Sequence, residues 1–264
     1  MIEIAISLAI IGIALVGIIG VLPMGMNVQR DNREETIINQ DAGVLLEAVR
    51  SGARGLDDLT NYVYAITNYW TEYNNKGGVI QTNVNGYTYN NATAYGASVP
   101  YMALTNGYNI IGILSTPEFT LDTPSGTPTF APTNNLFSGG YSNHIVAYVR
   151  SMSGPAVEKP PQDNTLLQAD SFGYRILCVN AALAVDTNIF NPAVYTSGQP
   201  VYNQQLAANL HELRMTFLWP QQPNGSVGSG HQTFRAMVAG QVMQAYDSGQ
   251  PLYFYQSQSF TNAP

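Results

Sequence analysis

Hydrophobic residues are distributed very unevenly along this chain. Residues 4–22 contain no charged side chain and are dominated by isoleucine, leucine, valine, alanine and glycine. Nineteen residues at about 1.5 Å rise per residue span about 28 Å, close to the hydrocarbon thickness of a bilayer. The pattern therefore predicts an apolar membrane or filament-core helix over residues 1–26.

After residue 26 the pattern becomes amphipathic and predicts the second half of the same helix, over residues 27–54. The apolar residues that recur at helical spacing are Ile37, Ile38, Ala42, Leu45, Leu46 and Val49. The charged residues expected on the remaining, solvated faces are Arg30, Asp31, Arg33, Glu34, Glu35 and Asp41. Ion pairing between subunits is the alternative for these charges. Gly52 and Gly55 are expected to end the helix.

Residues 55–264 predict a mostly-β globular domain. Asp57 and Asp58 are placed to cap a second helix. The apolar residues at helical spacing in this helix are Leu59, Tyr62, Val63, Ile66, Tyr69, Trp70 and Tyr73. Beyond it, Asn85-Gly86 and Asn106-Gly107 predict hairpin turns. Candidate strands cover residues 79–84, 87–90, 101–105, 109–114, 144–152, 174–185, 209–219 and 232–246, with long proline-containing loops at 115–142 and 153–171. The predicted class is α+β, with a long N-terminal helix before an antiparallel sheet.

Charge and cysteine usage narrow the function classes. The net charge is −7 and only 10% of residues are charged, against about 25% in an average protein. An acidic chain without a basic run argues against nucleic-acid binding. Cys178, the single cysteine, cannot form an intramolecular disulfide and is expected to be a small buried core residue.

The first residues carry a family resemblance. Glu3 is the only charged side chain before the apolar run, so the basic region that a cleavable secretory signal requires is missing. The segment Met1-Ile2-Glu3-Ile4-Ala5-Ile6-Ser7-Leu8-Ala9-Ile10-Ile11-Gly12-Ile13-Ala14 resembles the N-terminus of mature type IV pilins and type II secretion pseudopilins. The close match covers roughly the first 25 residues.

The resemblance implies a pilin-like fold and a role for each residue of this segment. Glu3 would pair with the N-terminal amine of a neighbouring subunit, since two charges in a low-dielectric setting offset each other's desolvation. Met1 would be the processed, methylated end, although the family's glutamate is normally the fifth mature residue and here it is the third. The residues expected in the filament core are Ile4, Leu8, Ile11, Leu15 and Ile18.

Helix-breaking residues interrupt the apolar segment. They are Gly12, Gly17, Gly20, Pro23 and Gly25. Glycine lowers helix stability and proline removes one backbone hydrogen bond, so a melted or kinked stretch is expected here in the assembled state. The alternative is that the glycines allow close packing between helices.

The resemblance implies a structural subunit of an extracellular type IV pilus-like filament. Its partners would be copies of itself, a prepilin peptidase and an assembly ATPase with its platform machinery, and the inner membrane before assembly. No nucleic acid and no cofactor are expected. Two alternatives remain open: a pseudopilin of a type II secretion system, and a membrane-tethered adhesin or binding module.

Catalytic patterns are weak in this chain. His144, His211 and His231 lack metal-ligand spacing, and no nucleophile-elbow motif occurs. We therefore expect no enzyme and no metal site. Asn91 and Asn224 begin N-glycosylation triplets. The 17 tyrosines are expected to fill half-buried positions, with sugar or adhesive contacts as the alternative.

Overall fold

The computed structural model describes residues 2–52, 57–74, 76–88, 101–120, 140–153, 172–183, 206, 208–222, 225–247, 249–256 and 259–260. The chain divides into two compact units, Met1–Gln40 and Asp41–Pro264. The elements in chain order are α1 (Ile2–Ser51), α2 (Leu59–Tyr62), β1 (Val63–Tyr73), β2 (Val79–Thr88), β3 (Tyr101–Ala103), α3 (Gly107–Leu114), β4 (Phe119–Thr120), β5 (Tyr141–Arg150), β6 (Gly173–Ala182), β7 (Leu210–Gln221), β8 (Val227–Ala239), β9 (Gln241–Asp247) and β10 (Gln250–Gln256). A long apolar N-terminal helix precedes a mostly antiparallel sheet, which confirms the α+β class.

Helix α1 is a single element of 50 residues. It ends as expected at Gly52, which adopts the left-handed conformation (φ 58°) that glycine tolerates best. The Gly52 N–H donates to the Val49 carbonyl at 3.1 Å. The backbone is helical through residues 12–25. The melting expected there concerns the assembled state, so it stays a prediction.

The second long helix predicted after Asp57 is wrong. Only Leu59–Tyr62 is helical, and residues 63–73 form strand β1. Strand β1 pairs with β2 on one side and β5 on the other, so it lies inside the sheet and its burial does not alternate. Asp58 occupies the N-cap position without a side-chain capping bond. Asp57 instead accepts a hydrogen bond from the Gly107 N–H at 3.3 Å through Oδ1.

Both predicted Asn-Gly turns are also wrong. Asn85 and Gly86 lie inside β2, opposite Asn68 and Thr67, so the two strands expected at 79–84 and 87–90 are one. The expected strand at 109–114 is helix α3, and Asn106 is its N-cap, accepting from the Asn109 N–H at 2.9 Å. Asparagine suits helix caps as well as turns, which explains the error.

The later strands agree with the sequence pattern, with some shifts of their bounds. Strands β5, β6 and β7 cover the three segments expected from residue 144 to 219. The single strand expected at 232–246 is two strands, β8 and β9, broken at Gly240 with φ 128°. Strand β10, which pairs with β9 as a separate hairpin, was missed.

The main sheet has the strand order β3-β2-β1-β5-β6-β7-β8, with β4 paired to β5. All its pairings are antiparallel except β2 with β3. Ile145, Cys178 and Met215 lie side by side on its inner face, and each is at most 1% exposed. The buried position expected for Cys178 is confirmed. Burial raises the pKa of its thiol to about 12.

The β9–β10 hairpin packs against α3 through a glycine contact. A Cβ atom at Gly112 would lie 2.8 Å from both Leu252 Cβ and Phe254 Cζ. The ring of Tyr108 stacks on Phe254 with 4.2 Å between centroids, and Asn109 Nδ2 donates to Asp247 Oδ2 at 2.9 Å. The absence of a side chain at position 112 therefore sets how closely this hairpin approaches the helix.

We expect Gly112→Ala to lower the free energy of unfolding by about 1–3 kcal/mol, because the added methyl group overpacks a closed contact. Chemical denaturation of the full chain in detergent measures this. The matched control is Gly43→Ala in α1, where an added Cβ meets no heavy atom within 4 Å. The control should be stabilising by about 0.5–1 kcal/mol. Equal effects at the two positions would contradict this account of the α3–β10 contact.

Candidate functional site: the N-terminal helix

The first unit exposes apolar side chains on every face of the helix. All large hydrophobic side chains from residue 2 to 22 are between 52% and 77% exposed, and they are Ile2, Ile4, Ile6, Leu8, Ile10, Ile11, Ile13, Leu15, Val16, Ile18, Ile19, Val21 and Leu22. A helix that is apolar all round is normally buried in a protein core or a membrane. By length and composition, α1 is able to cross a membrane.

Glu3 lies in the first turn of α1. A carboxylate is favourable there because the unpaired N–H groups give the helix N-terminus a partial positive charge. The Ser7 hydroxyl donates to the Glu3 carbonyl at 2.8 Å, so this bond uses the backbone of Glu3 and leaves its carboxylate for another partner. Met1 lies outside the described residues.

The glycines of this segment have open surroundings. A Cβ atom at Gly12, Gly17, Gly20 or Gly25 would meet nothing within 4 Å. Contacts within the chain therefore do not require glycine at these four positions. Pro23 lies within the helical backbone. Whether the glycines serve close packing or melting depends on a neighbouring helix, so both predictions stand.

The charged turns after residue 26 combine one internal ion pair with two outward carboxylates. Arg30 Nε contacts Glu34 Oε1 at 2.8 Å, a spacing of four residues along the helix. Asp31 and Glu35 are exposed, and they are also four residues apart. Carboxylates at this spacing lie on the same face of a helix and repel each other.

Asp41, in contrast, is buried, so its predicted place on a solvated face is wrong. Only 1% of the residue is exposed. Its Oδ1 atom accepts from the Ser153 N–H at 2.9 Å and the Ser153 hydroxyl at 2.6 Å. Its Oδ2 atom accepts from the Met152 N–H and the Tyr174 hydroxyl, both at 2.9 Å. Burial and the negative charge of Asp41 together raise the pKa of Tyr174 well above its usual value.

The Asp41 carboxylate fixes the last turns of α1 in the second unit. Ala42, Leu45, Ala48 and Val49 are buried beside it at helical spacing. Four hydrogen bonds satisfy a charge that would otherwise be costly to bury. The sequence contains a signal for this: position 41 is four residues before Leu45, and so shares its helix face.

We expect Asp41→Ala to lower the free energy of unfolding by about 3–5 kcal/mol, because it leaves the Tyr174 hydroxyl and two buried N–H groups without an acceptor. Denaturation of the full chain in detergent measures the change. Glu47→Ala is the control, since Glu47 is exposed on the same helix and pairs only weakly with Arg50. A loss below about 1 kcal/mol, the scale of an exposed pair, would contradict the anchoring role.

The three histidines do not form a site. His144 and His231 are exposed strand residues. His211 is 7% exposed and lies edge-on to the Tyr255 ring, with 5.7 Å between centroids. Among the residues that the structure describes, no group of three histidine, cysteine, aspartate or glutamate side chains is placed to hold a metal ion. Asn91 and Asn224 lie outside the described residues.

Burial lowers the pKa of His211, although a hydrogen bond with the Ala208 backbone acts in the opposite direction. The unfolded chain therefore takes up this proton at a higher pH than the folded chain. We expect stability to fall as the pH drops from about 6.5 towards the lowered pKa. His211→Gln should flatten the dependence of unfolding free energy on pH between 5 and 7, and His231→Gln should not. An unchanged slope in His211→Gln would disprove this account.

Comparison of the chain with protein-family models, with curated proteins and with solved structures finds no match. The resemblance to type IV pilins therefore depends on the first 25 residues alone. What the helix does must be argued from its chemistry.

Proposed function

We propose that this protein is a structural subunit that polymerises into a type IV pilus-like filament through the first half of α1. The observation that carries the proposal is the apolar surface of residues 2–22, exposed on all faces of the helix. Such a surface needs lipid or protein around it. Like helices from other copies provide this in a bundle, where no water is admitted.

The energetics of this assembly favour small differences. Helices leaving a bilayer exchange lipid contacts for helix contacts, so the net gain comes from close packing and polar interactions. The open space around Gly12, Gly17 and Gly20 allows another helix to approach closely. In the proposed filament, the Glu3 carboxylate pairs with the N-terminal amine of a neighbour and sets the axial register of each new subunit.

The proposal also assigns the protein a path. The subunit resides in the inner membrane before assembly, supported by a helix long and apolar enough to cross it, and on the cell surface afterwards. A prepilin peptidase and an assembly ATPase with its platform machinery are the partners that the family resemblance implies. A pseudopilin of a type II secretion system would use the same helix in a shorter filament.

A membrane-tethered adhesin is the second candidate. The same observation favours it, because one apolar helix followed by a sheet domain is also a tether carrying a binding module. The two candidates differ at Glu3. A tether has no use for a carboxylate at the first turn, whereas assembly needs it as a partner for a second chain.

We expect Glu3→Ala to leave the sheet domain folded and to abolish or strongly shorten filaments, because the variant lacks the group that offsets the buried amine. Cryo-electron microscopy of sheared surface material, with circular dichroism of the extracted subunit, measures both effects. Glu47→Ala, which removes an exposed glutamate of the same helix, is the control and should polymerise normally.

The outcomes separate the candidates. Wild-type filaments with residues 2–22 in a central bundle, lost in Glu3→Ala, would support the assembly role. Filaments of normal length from Glu3→Ala would rule out that role for Glu3. A wild-type protein that is always a single membrane-anchored copy would end the filament proposal and favour the tethered module.

A further inference from the structure

The outer face of the sheet concentrates positive charge in a chain whose net charge is −7. Four of the ten lysines and arginines lie on it, and they are Arg150, Arg175, Arg214 and Arg235. Among the described strand residues, Glu212 is the acidic side chain of this face. Such an excess on one surface of an acidic protein is a candidate interaction surface.

Two of these arginines are held by neighbouring groups. The Arg150 guanidinium lies over the Tyr64 ring, 5.3 Å from its centroid. Arg175 lies over Tyr148 at the same distance and donates to the Gly225 carbonyl at 2.6 Å. Their planar groups are therefore already occupied by aromatic and carbonyl partners within the domain.

The other two arginines, Arg214 and Arg235, form what we call the arginine pair. They are directly opposite each other on β7 and the edge strand β8, where like charges destabilise a sheet. Both share one carboxylate at long distance: Glu212 lies 3.6 Å from Arg214 and 3.5 Å from Arg235. Their side chains are 37% and 66% exposed. One acid thus serves two cations that solvent still reaches.

Helix α1 carries the complementary arrangement. Asp31 and Glu35, which we call the acidic pair, are exposed and share one helix face. They repel each other as the arginine pair does. Their Cβ atoms are about 5–6 Å apart by helix geometry, and those of directly opposed strand residues are about 5 Å apart. The two pairs match in spacing and are opposite in sign.

We propose that the acidic pair of one copy binds the arginine pair of a second copy. This inference rests on the proposed function, because it specifies a contact between subunits of the filament. Two arginine–carboxylate bonds form side by side, and each relieves the repulsion inside both pairs. The contact specifies which sheet edge meets which turn of helix, information that apolar helix packing alone does not carry.

Charge reversal tests the contact. Asp31→Arg with Glu35→Arg, and separately Arg214→Glu with Arg235→Glu, should each reduce sedimentable polymer roughly tenfold or more, because like charges then meet across the interface. The variant carrying all four changes should recover polymer. Arg150→Glu, on the same face but stacked on Tyr64, is the control and should polymerise normally.

Covalent cross-linking tests the contact without reversing charges, in case a reversed sheet edge fails to fold. Glu35→Cys and Arg235→Cys are placed in one chain and assembled filaments are treated with a short bis-maleimide. A ladder of oligomers on a denaturing gel is expected. The native Cys178 does not interfere, because it is 1% exposed and buried thiols are unreactive. Glu35→Cys with Arg150→Cys is the control pair and should give no ladder.

Each failure has its own signature. Normal filaments from both reversal variants, or filaments whose 35–235 cysteine pair gives no ladder, would overturn the contact and leave the filament proposal standing. A wild type that makes no filament would instead overturn the proposed function. Arginine-pair variants that polymerise normally but lose binding to an acidic polysaccharide such as polygalacturonate would show that the surface serves an external polyanion, and would also overturn the proposal.

Discussion

A helix that is apolar on every face requires surroundings without water, and this requirement governs the rest of the molecule. The backbone of residues 2–22 satisfies its own hydrogen bonds, so either hydrocarbon or other helices meet the side chains without cost to the main chain. Lipid and like helices are almost equally apolar. The choice between them is therefore decided by the few polar groups near the segment, of which Glu3 is the first.

The other end of the same helix solves a different problem. Buried apolar residues alone would allow the last turns of α1 to slide along the sheet by small steps, because dispersion contacts are not directional. The Asp41 carboxylate accepts bonds from two consecutive backbone N–H groups and from Tyr174, which fixes one register. A subunit pulled by its helix in a polymer needs such a directional bond where the helix joins the domain.

The sequence predicted the parts of the fold whose patterns are long. Nineteen uncharged residues specify a helix at the N-terminus, and alternation identified β6 and β7. Residues 63–73 and 109–114 were misassigned because short apolar runs suit buried strands and buried helices equally. The chemistry of Asp41 depended on residues more than 100 positions away. The roles of Glu3 and the core isoleucines depend on a second chain, which no single sequence contains.

Scarcity of charge makes the remaining charges informative. With 10% of residues charged, a like-charged pair on an exposed surface is not forced by composition. Isolated surface ion pairs add little stability, so the acidic pair and the arginine pair contribute little to the energy that drives polymerisation. Their contribution is specificity: each disfavours contact with itself and with the wrong sign, so only one arrangement of two copies relieves both. In a filament driven by nearly featureless apolar helices, this discrimination separates an ordered polymer from an aggregate.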